Sequence, residues 1–285
     1  MTAINTAWHP LANGNSPTWA SGWGQDSHGV WVEFTLVGED KPVTQRMRWI
    51  QPGQFMMGSP EDEPGRWDDE GPQHRVTISQ GFWLFDTPVV QALWLAVTGE
   101  NPSKFQSADL VSFDRPVEQV SWNDCQDFLK EINRKLPGLD LTLPGEAQWE
   151  YACRAGSSTA LYTGPIEIDD DTAPALDPIA WYSKNSGGET HPAAEKQAND
   201  WGLYDMLGNV WEWTADPWHE NYQDAPEDGR VWQEEEAGKS DEPRRVVRGG
   251  SWGSRARYCR SASRFWFEPG DRFVDLGFRC VRVQV

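Results

Sequence analysis

Beyond residue 157 this chain keeps neither a helical nor a strand period for long, yet large apolar side chains continue to its end. Glycine and proline interrupt it throughout, 26 and 20 among 285 residues, so long regular elements have little room. The core of such a chain has to be assembled from short strands and loops, and 18 tryptophans are the material available for it. Tryptophan joins a large apolar face to one N–H donor, which suits cores with polar seams as well as binding surfaces. Most of the tryptophans are therefore expected as core filler in a loop-rich fold.

Helical spacing occurs in three places. "VVQALWLAVTG" (89–99) ends on a glycine suited to a C-terminal cap. "SWNDCQDFLKEINRKL" (121–136) has a serine cap and sets Cys125, Phe128, Leu129, Ile132 and Leu136 on one face, which makes Cys125 a core residue. "LPGEAQWEYACRAG" (143–156) opens with proline near its first turn and closes on Gly156. Strand signals come earlier. "GVWVEFTL" (29–36) and "TQRMRWI" (44–50) flank the turn-like "GEDKP" and predict a β-hairpin, and "GQFMMGS" (53–59) predicts a further short strand. Residues 1–28 are turn-rich around Trp8, Trp19 and Trp23, and the polar segment 220–242 is expected as an excursion loop. Two to three helices among many short strands indicate an α+β domain.

Acidic residues outnumber basic ones 44 to 25, a net charge of -19. Such a field repels phosphate backbones and anionic membranes, so neither nucleic acid nor membrane is expected as a partner. Arginines nevertheless concentrate between Arg244 and Arg279. The start has no basic n-region or apolar h-region, and no apolar run approaches the roughly 18 residues that span a bilayer, so a cytoplasmic location is expected. Four scattered cysteines (Cys125, Cys153, Cys259, Cys280) make no disulfide scaffold and no CxxC pair. GxGxxG, Walker A and HExxH motifs are absent. The acidic run "EDEPGRWDDEGPQH" (61–74) reads as a solvated charge run in preference to a cation site.

The second half carries a specific ordered set: "LPGEAQWEYACRAG" (143–156), "WGLYDMLGNVWEWTAD" (201–216), "RVVRGGSW" (245–252) and "LGFRC" (276–280). "FMMGSPEDE" (55–63), "NPSKF" (101–105) and "RPVEQVSWNDC" (115–125) extend it forward. Together these motifs resemble the formylglycine-generating enzyme (sulfatase-modifying factor) family over roughly residues 45–283. The resemblance implies a variant of the C-type lectin fold in residues 45–285, with residues 1–44 as a Trp-rich extension that carries one strand of the hairpin. In "GLYDMLGNVWEW", oxygen donors at Asp205, Gly208, Val210 and Glu212 suit a hard cation. The family resemblance makes that cation a structural calcium. Gly249 and Gly250 allow positive φ or close backbone approach. Arg248 and Arg279 are expected to bridge carboxylates of the core.

The family's oxidases convert a cysteine in a sulfatase-type peptide to formylglycine with oxygen and a copper(I) ion held between two thiolates, C-x4-C, just after the GGSW segment. Here those positions are Ser254 and Cys259. A hydroxyl is hard, neutral and protonated at neutral pH, so copper is not expected. A related class of iron-dependent sulfoxide synthases adds a His-bearing helical domain, whereas this chain has five scattered histidines.

The same stretch suits a different use. "RGGSW", "RSA", Arg264, Pro269, Arg272 and "LGFRC" form a frame. Between its parts sit Gly253, Ser254, Arg255, Arg257, Tyr258, Ser263, Phe265, Trp266, Phe267, Gly270, Asp271, Phe273, Val274 and Asp275, aromatic, charged and small residues without strand alternation. A fixed frame with free inserts resembles the variable proteins of diversity-generating retroelements, which share the lectin-like fold, and places a variable region at 249–279. Aromatic and arginine inserts are what binding hot spots favour. The expected function is non-catalytic binding of a protein or other macromolecular ligand by the 253–275 surface. The alternatives are a formylglycine-generating oxidase and an accessory or regulatory domain of the same family.

Overall fold

Strand alternation is clearest in Gly29–Val37, where Val32, Phe34 and Leu36 are buried and their neighbours face outward. The structure is a computed structural model that describes residues 11, 14, 16–38, 41–106, 114–233 and 243–283. Trp8, the Glu39–Asp40 tip of the hairpin turn and residues 234–242 of the excursion loop lie outside the described residues.

The strands are β1 (Gly22–Asp26), β2 (Gly29–Val37), β3 (Pro42–Ile50), β4 (Gly53–Met57), β5 (His74–Ile78) and β6 (Phe82–Phe85). They continue with β7 (Leu141–Thr142), β8 (Trp211–Pro217), β9 (Arg245–Arg248), β10 (Arg264–Phe267), β11 (Leu276–Phe278) and β12 (Val281–Val283). The helices are α1 (Gln91–Thr98), α2 (Trp122–Lys135) and α3 (Glu146–Arg154). One sheet has the order β1-β2-β3-β6-β12-β7 and a second β10-β9-β8-β11, while β4 and β5 pair by themselves. This is the α+β, loop-rich architecture expected. The β2–β3 hairpin is antiparallel and joins the six-stranded sheet, so residues 22–44 are built into the same sheet as the strands that follow. Strand β1 sits in the segment read as turns, because Gly22 and Gly24 mask its pairing with Glu33 and Trp31 of β2.

Strand β6 is buried along its whole length and separates two apolar cores. Trp83 and Phe85 face one, with Val32, Phe34, Leu93, Trp94, Phe128 and Ile132. Phe82 and Leu84 face the other, with Trp149, Cys153, Leu203 and Leu207. Helix α2 is capped by Ser121, whose side chain accepts from the Asp124 N–H while the Asp124 carboxylate accepts from the Ser121 N–H. Gly99 takes the left-handed conformation after α1. No helix among the described residues is long and apolar enough to cross a membrane.

Candidate functional site

Four arginines of the C-terminal stretch, Arg248, Arg260, Arg264 and Arg279, are exposed by 1% or less. A guanidinium in that position requires a carboxylate and further acceptors. Arg248 bonds to Glu150 of α3 and donates to the carbonyls of Ala262, at 2.8 Å, and Ser263. Arg264 holds Glu146 through bonds of 2.8 and 3.0 Å. Arg279 holds Glu212 through two bonds of 2.7 Å. The bridging role expected of Arg248 and Arg279 is therefore present.

Arg260 reaches furthest in sequence. It bonds to Glu63 at 2.5 Å and to both oxygens of Glu70, and donates to the Gly65 carbonyl at 2.9 Å. This corrects the reading of 61–74 as a solvated run, for Glu63 and Glu70 are buried and the cation they take is Arg260. The consequence is positional. The loop is pulled against the C-terminal turn, and Trp67 comes to lie 6.2 Å from Tyr258, ring over ring.

These anchors leave a cleft of about 410 Å³ lined by Trp67, Trp211, Gly253, Ser254, Arg255, Arg257, Tyr258, Phe265 and Phe267. Its floor is Trp211 of β8, 6% exposed, with Tyr258 and Phe265 each 6.2 Å from it by ring centroid. Strand β10 is the outer strand beside β9 and carries Phe265 and Phe267 on alternate positions toward the same face, 5.4 Å apart. The three-residue turn Ala256–Tyr258 supplies the opposite side, where the Arg257 guanidinium lies 3.8 Å over the Trp67 ring. Gly250, at φ +75, lets the GGSW backbone lie on that turn, since a Cβ there would stand 2.7 Å from the Cys259 sulfur.

Seven of the expected surface residues thus converge on one cleft: Gly253, Ser254, Arg255, Arg257, Tyr258, Phe265 and Phe267. The others separate. Ser263 is fully buried, because Arg248 draws its carbonyl inward, and this removes it from any surface. Trp266 is half-buried under the Arg244 guanidinium, 4.0 Å away. Phe273 is exposed and packs on Phe267 at 4.7 Å, an outer extension of the aromatic face. Gly270 and Asp271 belong to a turn in which Asp271 accepts from the Glu268 N–H. The Val274 carbonyl accepts from Trp252, and Asp275 accepts from the Ser251 hydroxyl. Sequence reasoning missed Trp67 and Trp211 as cleft walls. Trp211 sat inside a motif read for its oxygens, and Trp67 was hidden in the acidic run.

The two positions assigned to copper do not fit a copper(I) ion. The Ser254 hydroxyl accepts from the Ser251 N–H and shares a 3.0 Å hydrogen bond with the Ser251 hydroxyl, which donates onward to Asp275 at 2.7 Å. Cys259 is fully buried, and burial pushes its thiol up to about 12, so it is protonated and neutral at physiological pH. Cys125, Cys153 and Cys280 are equally buried.

The calcium set does not fit its ion as arranged. Both Glu212 oxygens are occupied, by Arg279 and by the Trp149 indole N–H at 2.7 Å, and its charge is already neutralised. Asp205 accepts from the Ala194 N–H and from Asn209. Burial pushes Asp205 up to about 6. With the neutral carbonyls of Gly208 and Val210 added, the set offers one uncompensated carboxylate, a weak donor set for a divalent cation. Among the described residues no three His, Cys, Asp or Glu side chains are grouped to hold a metal.

Comparison with known proteins places this geometry. The sulfatase-modifying factor enzyme 1-like domain family matches residues 33–284. The formylglycine-generating enzyme of Mus musculus is 31% identical over 218 residues, covering 73% of this chain and 52% of that protein. An inactive C-alpha-formylglycine-generating enzyme 2 from Bos taurus is 29% identical over 213 residues, covering 70% and 58%. The chain spans about half the length of the curated relatives it matches, 52% and 50% for two formylglycine-generating enzymes. Among solved structures, PvdO from Pseudomonas aeruginosa is 31% identical with a TM-score of 0.71, covering 84% of this chain and 94% of that one. Treponema denticola variable protein 1 is 28% identical with a TM-score of 0.70, covering 88% and 99%. With its ordered motifs, its α+β fold and a family match over most of its length, the chain belongs to the sulfatase-modifying factor enzyme 1-like family.

Proposed function

We propose that this chain is a non-catalytic binding protein that displays a ligand cleft on the family's lectin-like scaffold. The observation that carries the reading is the convergence of Arg257, Tyr258, Phe265 and Phe267 with Trp67 and Trp211 on one cleft. Ser254 and the buried Cys259 stand where an oxidase would hold its metal. Rigid aromatic walls give contact area at little conformational cost. The buried arginine pairs hold the frame, so exposed or half-buried inserts such as Arg255, Arg257 and Phe265 can change without disturbing the core. The likeness to Treponema denticola variable protein 1 supports the further reading that these inserts are hypervariable, as in retroelement variable proteins.

Sequencing sibling copies of the gene tests this. Differences are expected at the cleft positions and not at Arg248, Arg260, Arg264 or Arg279. Differences spread evenly along the chain would contradict variable display.

A further inference from the structure

In a chain with 44 acidic residues, most of the described arginines pair with carboxylates. Carboxylates hold Arg46, Arg48, Arg154, Arg248, Arg260, Arg264, Arg272 and Arg279, among others. Arg257 departs from this pattern. Among the described residues it has no carboxylate partner, and its side chain makes one hydrogen bond, from Nη2 to the Gly65 carbonyl at 3.2 Å. Its guanidinium lies over the Trp67 ring at 3.8 Å and lines the cleft. Its cleft neighbour Arg255 pairs loosely with Asp171 at 3.3 Å, with both side chains largely exposed. Among the described residues that line the cleft there is no carboxylate. The cleft therefore offers a preoriented cation beside an apolar floor, in a molecule whose net charge is -19.

We infer that the cleft takes an acidic peptide segment, a carboxylate side chain on Arg257 with an adjacent aromatic or aliphatic side chain between Phe265 and Trp211. This deepens the binding reading above and rests on it. Nε is buried and Nη2 donates to Gly65, so the Nη1–Nη2 end of the fork is the part that matches a carboxylate in two-point geometry. The stacked indole holds that fork in place, so less freedom is lost on binding. The surrounding negative field favours a single carboxylate over a dianionic phosphate.

The test is selection of a random dodecapeptide phage library on the full chain. Recovered peptides are then synthesised with Asp or Glu, with Asn or Gln, and with phosphoserine at the acidic position. Recovered sequences are expected to place an acidic residue next to an aromatic or aliphatic one. Neutralising that acid should weaken binding at least about tenfold to the wild type but little to Arg257→Gln. Arg257→Lys, which keeps the charge and loses the fork, should recover only part of the affinity. The change on the peptide side keeps the test valid if Arg257→Gln folds poorly. Cleft-binding peptides without an acid, or peptides that lose as much affinity to both proteins when neutralised, would overturn the carboxylate inference and leave the binding cleft standing. Tighter binding of phosphoserine peptides would overturn it likewise. Selected peptides whose binding is insensitive to Trp67→Ala and Phe265→Ala would overturn the cleft itself.

Discussion

Arg260→Met should loosen the acidic loop from the rest of the molecule. The guanidinium is fully buried between Glu63 and Glu70, themselves exposed by 9% or less, and also holds the carbonyls of Gly65 and Arg257. Methionine keeps much of the volume but leaves two buried carboxylates without their cation. Breaking one buried pair typically costs about 3–5 kcal/mol. Two carboxylates share this cation, so the upper part of that range applies unless the loop opens first. Opening sets a ceiling, because residues 59–71 can release as a unit while the sheets stay folded. Urea unfolding should therefore show a loss of about 3–5 kcal/mol. Hydrogen exchange should show lost protection at the Ser59 and Glu70 amides, which bond within this loop, with β8 and β9 unchanged. Adding Glu63→Gln and Glu70→Gln to Arg260→Met removes the stranded charges and should restore most of the loss. A variant within about 0.5 kcal/mol of the wild type, or a triple variant without recovery, would refute the claim that this network positions Trp67.

Other outcomes follow from the same geometry. Burial, with the Glu146 charge beside it, pushes Asp216 up to about 7, and burial pushes Glu118 up to about 7 as well. Both folded-state values lie above the unfolded ones, so the folded chain binds more protons between roughly pH 4 and 7 and loses stability as pH rises through that window. Burial pushes Glu146 up too, but Arg264 and Arg248 outweigh it and hold it below its usual range, so its contribution is lost only at lower pH. Calorimetry should therefore find a higher unfolding midpoint at about pH 5.5 than at about pH 8, and a midpoint that rises toward alkaline pH would contradict this. Gly250→Ala, with its positive φ and the Cys259 sulfur 2.7 Å from the new Cβ, should cost about 1–3 kcal/mol or more in urea unfolding. Gly253→Ala, whose Cβ meets nothing nearer than 3.9 Å, should be nearly neutral. Calcium titration should leave the thermal midpoint unchanged, since Arg279 already neutralises Glu212. A calcium-dependent rise would show that Glu212 is released to an ion.

Much of this molecule was legible locally. The Ser121 cap and the spacing of Cys125, Phe128, Leu129 and Ile132 specify α2 and its buried face, and alternation specifies the β2–β3 hairpin. The ordered motifs pointed to the fold, and the frame around residues 253–267 located seven of the nine residues that line the cleft. Long-range pairing was not legible. Glu63 and Glu70 look like any solvated acids until Arg260, 190 or more residues away, is brought against them. For the same reason Trp67 gave no sign of facing Tyr258. Strand β12 is too short to announce that it enters the six-stranded sheet between β6 and β7. Ser263 was misplaced because a frame of identities carries no information about which insert turns inward, a choice made here by Arg248.

The central claim is that this scaffold recognises a ligand without oxidising one. The most direct test is mass spectrometry of a Cys-Xaa-Pro-Xaa-Arg peptide incubated with the full chain, copper(I), oxygen and a thiol reductant. With a seryl hydroxyl at position 254 and a buried, neutral thiol at Cys259, the peptide should keep its cysteine mass. Conversion of that cysteine to formylglycine, above the rate without protein, would contradict the account.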